Sequence, residues 1–311
     1  MKKLILILLL ISSVFADADY KQAFKLYQSQ KYKQAMPLFK SSKNPMSLFY
    51  IGAMFEKGFG VKKNLETAKK YYKYATNKFG IKEARHNYAH ILFLQKKYKE
   101  AYKEFLKNDD YFLSQYFLGK MLYYGISVEK NEGDALYYLS MSSEKNYDLS
   151  IILLAKIYLY DKNEPKKAKK LLEKLVTGKN MFDRNLVNTY YLYAKALNKD
   201  SETQKQALYI FKKLCDNKKT SVSLEACVDY NFNEYIDNED TESINKLIKY
   251  ANTNNVYAIT TLLQVYFFEE NCEDSKKILD KLEYIMKNRK DYIFNASALN
   301  SYTTKYQEIC E

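Results

Sequence analysis

A repeat with a period near 34 residues is the feature that most constrains how this chain can fold. Small residues recur 33 or 34 positions apart, and large side chains follow most of them three and four positions later. This spacing places the small and the large side chains on one face of a helix. A fixed period near 34 residues is typical of helix–turn–helix units that stack into a solenoid. The small residues are Ala35, Ala68, Ala101, Ala135 and Ala168, and less regular copies follow at Ala207, Ile244 and Ser275.

Each copy is predicted to have a first helix about 12 to 16 positions upstream, and in the first six copies this helix carries a second small residue. These residues are Ala23, Gly52, Ala89, Gly119, Ala155 and Ala194. Where the gap is 16, glycines 58, 60 and 125 can take the positive φ angles that end one helix and turn the chain. Only 8 Gly and 3 Pro occur in 311 residues, so the sequence contains few residues that break a helix. We predict an all-α, right-handed α-solenoid of about eight hairpins with a C-terminal capping helix near 291–306.

The segment Tyr50–Ala75, YIGAMFEKGFGVKKNLETAKKYYKYA, resembles a Sel-like repeat, a subclass of the tetratricopeptide repeats. A second copy runs from Leu118 to Leu139 and has Ser127 where a loop glycine is expected. The resemblance implies repeats 1–5 and the first helix of repeat 6 over 17–199, then degenerate repeats and the cap over 200–311, continuous with the same solenoid. It also implies a scaffold that binds a protein or peptide partner, with no cofactor.

The first residues have the layout of a secretory signal peptide. Lys2 and Lys3 precede the apolar run Leu4–Ile11, and the small residue Ala16 marks the expected cleavage point, so 1–16 is the predicted leader. The mature chain is then expected in the periplasm or outside the cell, without a membrane span. The formal charge of +13 comes almost wholly from Lys. Nucleic acid is not an expected partner in such a compartment.

Four cysteines lie in the C-terminal third of the sequence. An even count in an exported protein indicates two disulfides, although four cysteines allow three connectivities. The antiparallel hairpins bring Cys215 near Cys227, and they place Cys272 at the same end of the fold as Cys310. We therefore predict the pairs Cys215–Cys227 and Cys272–Cys310. No C-x2-C spacing supports the alternative of a zinc site.

The resemblance places the first helices on the concave face of the solenoid, where two positions per repeat point toward a partner. Three residues before the small residue, the predicted partner-binding residues are Tyr20, Phe49, His86, Tyr116 and Tyr191. One residue after it, they are Phe24, His90, Lys120, Lys156 and Lys195. Aromatic and basic rows together suit a peptide or helix with apolar anchors and acidic groups. The alternative is that the aromatic row packs between repeats and the lysines reflect composition.

Signs of chemistry in the sequence are sparse. His86 and His90 stand four residues apart on one helix, but no third metal ligand is in register, so both are expected to be exposed in the groove. S-x-x-K occurs three times, from Ser127, Ser142 and Ser243, without the other motifs of penicillin-recognising enzymes. We expect no metal site, no catalytic residue and no enzymatic activity. The second function class is a cell-wall enzyme or ligand-binding protein, since resemblance to cysteine-rich Sel-like repeat proteins implies weak β-lactamase-like activity.

Overall fold

The computed structural model describes residues 18–217, 221–288 and 296–311, and these residues form α-helices, turns and one π-helical segment, with no strand. The helices of the first five hairpins are α1 (18–28), α2 (Tyr32–Ser41), α3 (Met46–Lys57), α4 (Leu65–Phe79), α5 (Lys82–Leu94), α6 (Tyr98–Leu106), α7 (Phe112–Tyr124), α8 (Glu132–Glu144), α9 (Asp148–Lys156) and α10 (Pro165–Val176). The rest are α11 (Val187–Leu197), α12 (Gln204–Asp216), α13 (Ser223–Asn238), α14 (Thr241–Asn252), α15 (Val256–Phe268), α16 (Cys272–Asn288) and α17 (Ala296–Cys310). The π-helical segment Ile157–Asp161 follows α9 directly.

Consecutive odd- and even-numbered helices form the hairpins, so the described residues contain the eight predicted helix–turn–helix units and a last helix. Helices pack mainly on their neighbours in sequence, as expected for an all-α solenoid of stacked repeats. The described part of the predicted cap is α17, while 291–295 lie outside the described residues. The chain divides into an N-terminal unit that ends at Leu154 and a C-terminal unit that begins at Ala155.

The small residues of the repeat lie where two helices of a hairpin approach each other most closely. The alanines of the repeat frame are fully buried, for example Ala35, Ala68 and Ala101. Gly52 of α3 leaves so little room that an added Cβ would lie 2.7 Å from the Tyr72 ring of α4. Gly119 of α7 meets Leu139 of α8 in the same way, at 2.6 Å. The predicted close-packing role of these residues is confirmed.

The glycine loops have the predicted geometry. Gly58 has a φ of 78° and ends α3, and its amide donates to the Met54 carbonyl. Gly125 ends α7 in the same left-handed conformation. Ser127, which replaces the second loop glycine, also has a positive φ of 57°. A non-glycine residue is uncommon there, so the repeat geometry dictates this backbone even where the consensus residue is missing.

Both predicted disulfides are present. Cys215, near the end of α12, is bonded to Cys227 in the first turns of α13. Cys272, the first residue of α16, is bonded to Cys310, the last residue of α17. Each bond joins two helices that are adjacent in sequence, in the part of the chain where the repeat pattern is weakest.

The predicted leader, 1–16, lies outside the described residues. Within the described ranges, no helix combines the length and the apolar character that a membrane span requires.

Candidate functional site

The aromatic row predicted to face a partner packs against the following helices of its own unit. Its rings lie within about 6 Å, centroid to centroid, of rings that follow in sequence, four on the next helix and one in the turn before α9. These pairs are Tyr20–Phe39, Phe49–Tyr72, His86–Phe105, Tyr116–Tyr147 and Tyr191–Phe211. All the predicted members except His86 are half-buried. Four of these five pairs join the two helices of one hairpin, so the row packs mainly within hairpins and leaves a partner only part of each half-buried side chain.

His86 is not exposed, and the prediction that it lines an open groove is wrong. Only 6% of its surface is accessible, and its ring lies among Phe105, Tyr111 and Phe117 at centroid distances of 5.6 to 5.7 Å. Its Nδ1 lies 3.3 Å from the Ser114 hydroxyl. The physical reason is that Phe105 of α6, and Tyr111 and Phe117 at the start of α7 and within it, close over this position.

The environment of the two histidines keeps them neutral. Burial, and then the neighbouring His90, lower the pKa of His86 to about 3. Burial also lowers the pKa of His90, which is half-buried against Phe117. Among the described residues, no group of three or more His, Cys, Asp and Glu side chains is arranged to hold a metal ion.

The lysines of the basic row differ in exposure and in their contacts. Lys120 is half-buried, and its Nζ lies 6.0 Å from the ring centroids of Phe93 and Tyr116. Lys156 is exposed. These two lysines remain accessible to a partner, as does part of Phe24 at the start of the row.

Lys195 belongs to a buried polar network that the sequence reading missed. Its Nζ donates to Asp229 Oδ1 at 3.0 Å and lies 2.9 Å from the Tyr257 hydroxyl. Asp229 also accepts hydrogen bonds from the hydroxyls of Tyr191, at 2.7 Å, and Tyr257, at 2.5 Å. Asp229 is only 5% exposed, so its charge is compensated inside the protein. The prediction that Lys195 is free to meet an acidic partner is therefore wrong.

The electrostatics of this network keep its Lys and Tyr donors protonated at neutral pH. Burial is the largest single effect on the pKa of Lys195 and lowers it, but Asp229 and Tyr257 together outweigh burial, so that the pKa lies above its usual value. Burial and the charge of Asp229 raise the pKa of Tyr257 to about 12, and the pKa of Tyr191 rises for the same two reasons. Because all three groups keep their protons at neutral pH, none of them is a general base. The network links α11, α13 and α15.

A signal for this network exists in the sequence. Asp229 follows Lys195 by 34 residues, which is one repeat period. Residues one period apart occupy equivalent places on successive first helices, so opposite charges there face each other. The same spacing joins Tyr235 to Glu269 by a hydrogen bond.

Three odd-numbered helices of the C-terminal unit line a largely apolar groove, which we call the α13–α15–α17 groove. It has a volume of about 570 Å³. Phe268 at its edge is 75% exposed and Ile236 is 38% exposed. The lining residues are Phe232 and Ile236 of α13, Gln264, Phe267 and Phe268 of α15, and Ser301, Tyr302 and Lys305 of α17. None of these residues was predicted, because the repeat frame was too weak here to assign a register.

Lys305 is the only charged residue among those that line the groove. Its Nζ lies 5.6 Å from the centroid of the Phe267 ring. Within the part of the chain that the structure describes, no carboxylate pairs with it. The groove therefore combines apolar walls with one uncompensated positive charge.

Comparison with known proteins identifies the repeats. The protein-family model called Sel1 repeat matches residues 13–29, 45–78 and 113–147 of this sequence. The chain is similar in structure to c5321, a protective antigen of uropathogenic Escherichia coli that displays a Sel1-like repeat fold. The TM-score is 0.66 at 16% identity, over 94% of this chain and 69% of that one.

A second solved structure, a Sel1 repeat protein from Oxalobacter formigenes, has a TM-score of 0.53 at 22% identity. The match covers 68% of this chain and 90% of that one. A search of the curated proteins finds no match to this chain.

Proposed function

Because the chain belongs to the Sel1-like repeat proteins, whose repeats generally mediate protein–protein interaction, we propose that it is a non-enzymatic scaffold that binds a protein or peptide partner on its odd-numbered helices. The observation that carries this proposal is the α13–α15–α17 groove. Phe268 is 75% exposed at the edge of this apolar groove, and large exposed apolar patches on soluble proteins are often interaction sites.

The proposed occupant is a short segment of another protein that carries an apolar side chain and a carboxylate. The apolar part suits Phe232 and Phe268, which supply aromatic surface of the kind that dominates binding energy. The carboxylate suits Lys305, which has no acidic partner among the described residues. One cation is too few to attract a polyanion, so the charge serves to orient the segment rather than to provide most of the affinity.

The partly exposed lysines of the basic row, Lys120 and Lys156, extend the preference for acidic partners. Each lies one residue after a packing residue of a first helix, on the face where the resemblance places partners. In this proposal they are secondary contacts, because neither lies in an apolar groove that would exclude water.

We also propose that the protein works outside the cytoplasm, in the periplasm or as a secreted protein after removal of the leader near Ala16. The two disulfides support this location, because such bonds persist in oxidising compartments.

The test is selection of binding peptides from a random display library on the full chain, followed by affinity measurement on variants. Phe268→Asp should weaken binding of the selected peptides at least about tenfold, since it places a charge in the apolar groove. Tyr284→Asp is the matched control, because Tyr284 is also highly exposed, at 69%, but lies on the even-numbered helix α16. It should leave binding unchanged.

Lys305→Glu tests the chemistry of the occupant. Selected peptides should share an Asp or Glu beside an apolar residue, and they should lose affinity on this variant. Peptides that bind equally well to wild-type protein and to Phe268→Asp would rule out the groove as the site. If the groove instead mediates self-association, sedimentation will show a dimer that Phe268→Asp dissociates, and the proposed partner is then wrong.

A further inference from the structure

The third wall of the groove is a helix that the fold holds by few contacts. Helix α17 contributes Ser301, Tyr302 and Lys305 to the α13–α15–α17 groove. Among its described side chains, only Leu299 is buried in the core. Tyr302, Tyr306 and Ile309 are half-buried against the same core cluster.

The central wall is held far more firmly. Helix α15 buries eight side chains and packs on α13, α14 and α16. Helix α17 packs mainly on α16. The two walls of one groove therefore differ greatly in how much apolar surface anchors them.

A covalent bond compensates for the weak packing of α17. Cys310 at the end of this helix is joined to Cys272 at the start of α16, across 38 residues of sequence. A bond that closes a long loop removes much of the entropy the chain would gain by detaching the segment. Because only one described side chain of α17 is buried, the disulfide supplies a large part of the free energy that holds this helix in place.

We propose that the groove is a disulfide-dependent binding site, formed when Cys272–Cys310 is oxidised and lost when it is reduced. The inference rests on the proposed function of the groove and adds its regulation. Detachment of α17 removes Tyr302 and Lys305 from the groove, so that both the third apolar wall and the only lining charge are lost together.

The chemistry needs a dithiol reductant, such as a dithiol oxidoreductase of the same compartment. One thiolate of the reductant attacks a sulfur of Cys272–Cys310 and forms a mixed disulfide, while the other cysteine leaves as a thiolate and takes up a proton. The second thiol of the reductant resolves the mixed disulfide. Two electrons and two protons pass to Cys272 and Cys310, and the reductant becomes a disulfide.

The two disulfides of the chain differ in what they hold. Cys215, Cys272 and Cys310 are half-buried, so each bond has a partly accessible sulfur that a thiolate can attack. Only reduction of Cys272–Cys310 releases a wall of the groove, because the other bond joins α12 to α13 and α13 also packs on α14 and α15.

The experiment compares the double variant Cys272→Ser/Cys310→Ser with its matched control, Cys215→Ser/Cys227→Ser. The probe is a fluorescein-labelled peptide from the selection described above, and its anisotropy reports affinity. The first variant should bind at least about tenfold more weakly than the oxidised protein, because it loses an aromatic wall of the site. The control should bind within about twofold, since packing keeps α13 in place without the Cys215–Cys227 bond.

Hydrogen–deuterium exchange on the same proteins tests the inference without any ligand. In Cys272→Ser/Cys310→Ser, and in wild-type protein treated with a dithiol, the amides of α17 should exchange at least about a hundredfold faster, while those of α15 stay protected. Unchanged protection of the α17 amides overturns the inference, whatever the affinities of the peptides. If α17 is released but peptide binding persists, the groove is not the peptide site, and the proposed function fails instead.

Discussion

Removal of the Asp229 carboxylate should destabilise the C-terminal unit through its effect on Lys195. In Asp229→Ala, the Lys195 ammonium loses its counter-charge at 3.0 Å, and the hydroxyls of Tyr191 and Tyr257 lose their acceptor. Loss of one partner of a buried ion pair costs about 3 to 5 kcal/mol. The side chain of Lys195 is 22% exposed and keeps some hydration. We therefore expect a loss at the low end, about 3 kcal/mol of unfolding free energy.

Removal of the Lys195 cation should lower the unfolding free energy by less than removal of Asp229 does. In Lys195→Met, the Asp229 carboxylate still accepts two phenol hydroxyls, so a loss of about 1.5 kcal/mol is expected, that of a single charged hydrogen bond. The double variant leaves neither charge unpaired. Its cost should fall below the sum of the two single losses by about 2 kcal/mol, which is the coupling energy of contacting residues in one network.

The assay is a double-mutant cycle measured by urea denaturation at pH 7, with helical circular dichroism as the signal. Lys156→Met is the control, because Lys156 occupies the equivalent position one repeat earlier and is exposed. It should change the unfolding free energy by no more than about 0.5 kcal/mol. Additive losses for Asp229→Ala and Lys195→Met would refute the reasoning, since they would show that the two charges do not interact.

Two further outcomes are expected in the N-terminal unit. Because the pKa of His86 is lowered to about 3, the folded state resists protonation that the unfolded state accepts near pH 6.5, so stability is lost as pH falls below that value. Between pH 7 and pH 5 the unfolding free energy should fall by about 2 kcal/mol for this reason. Urea denaturation of His86→Leu at both pH values should show a fall that is smaller by this amount. Gly52→Ala should cost about 1 to 2 kcal/mol, because the new methyl group meets a Tyr72 ring that is fully buried and bonded to Glu56. Gly133→Ala should instead raise the unfolding temperature, because its Cβ would have only a side-chain oxygen within 4 Å, at 3.6 Å, and alanine favours helix. Thermal unfolding measures both variants.

The hairpins could be predicted because their determinants are local and repeated. The alanines at 35, 68 and 101 recur at a constant interval, and each marks a helix pair that closes over it. The disulfides followed from the same layout. Cys215 closes the second helix of one hairpin and Cys227 lies early in the first helix of the next, so their proximity depends only on antiparallel packing of helices that are consecutive in sequence.

The surroundings of individual side chains could not be predicted, because they depend on contacts between different repeats. His86 reads as an exposed polar residue until Phe105 and Phe117 are placed around it. Lys195 reads as a groove lysine until Asp229 is placed beside it. A pattern that assigns a residue to a face of a helix does not reveal which later helix covers that face.

The glycines at the closest helix contacts also have a consequence for how a chain of this type can gain or exchange repeats. Gly52 matches the ring of Tyr72, and Gly119 matches Leu139, so each first helix has a shape fitted to its own second helix. A first helix with alanine at this position, such as α5, would bring a methyl group into the ring of Tyr72 if it were recombined with α4. Duplication or recombination that transfers both helices of a hairpin together avoids this clash, so the whole hairpin is the favoured unit of exchange.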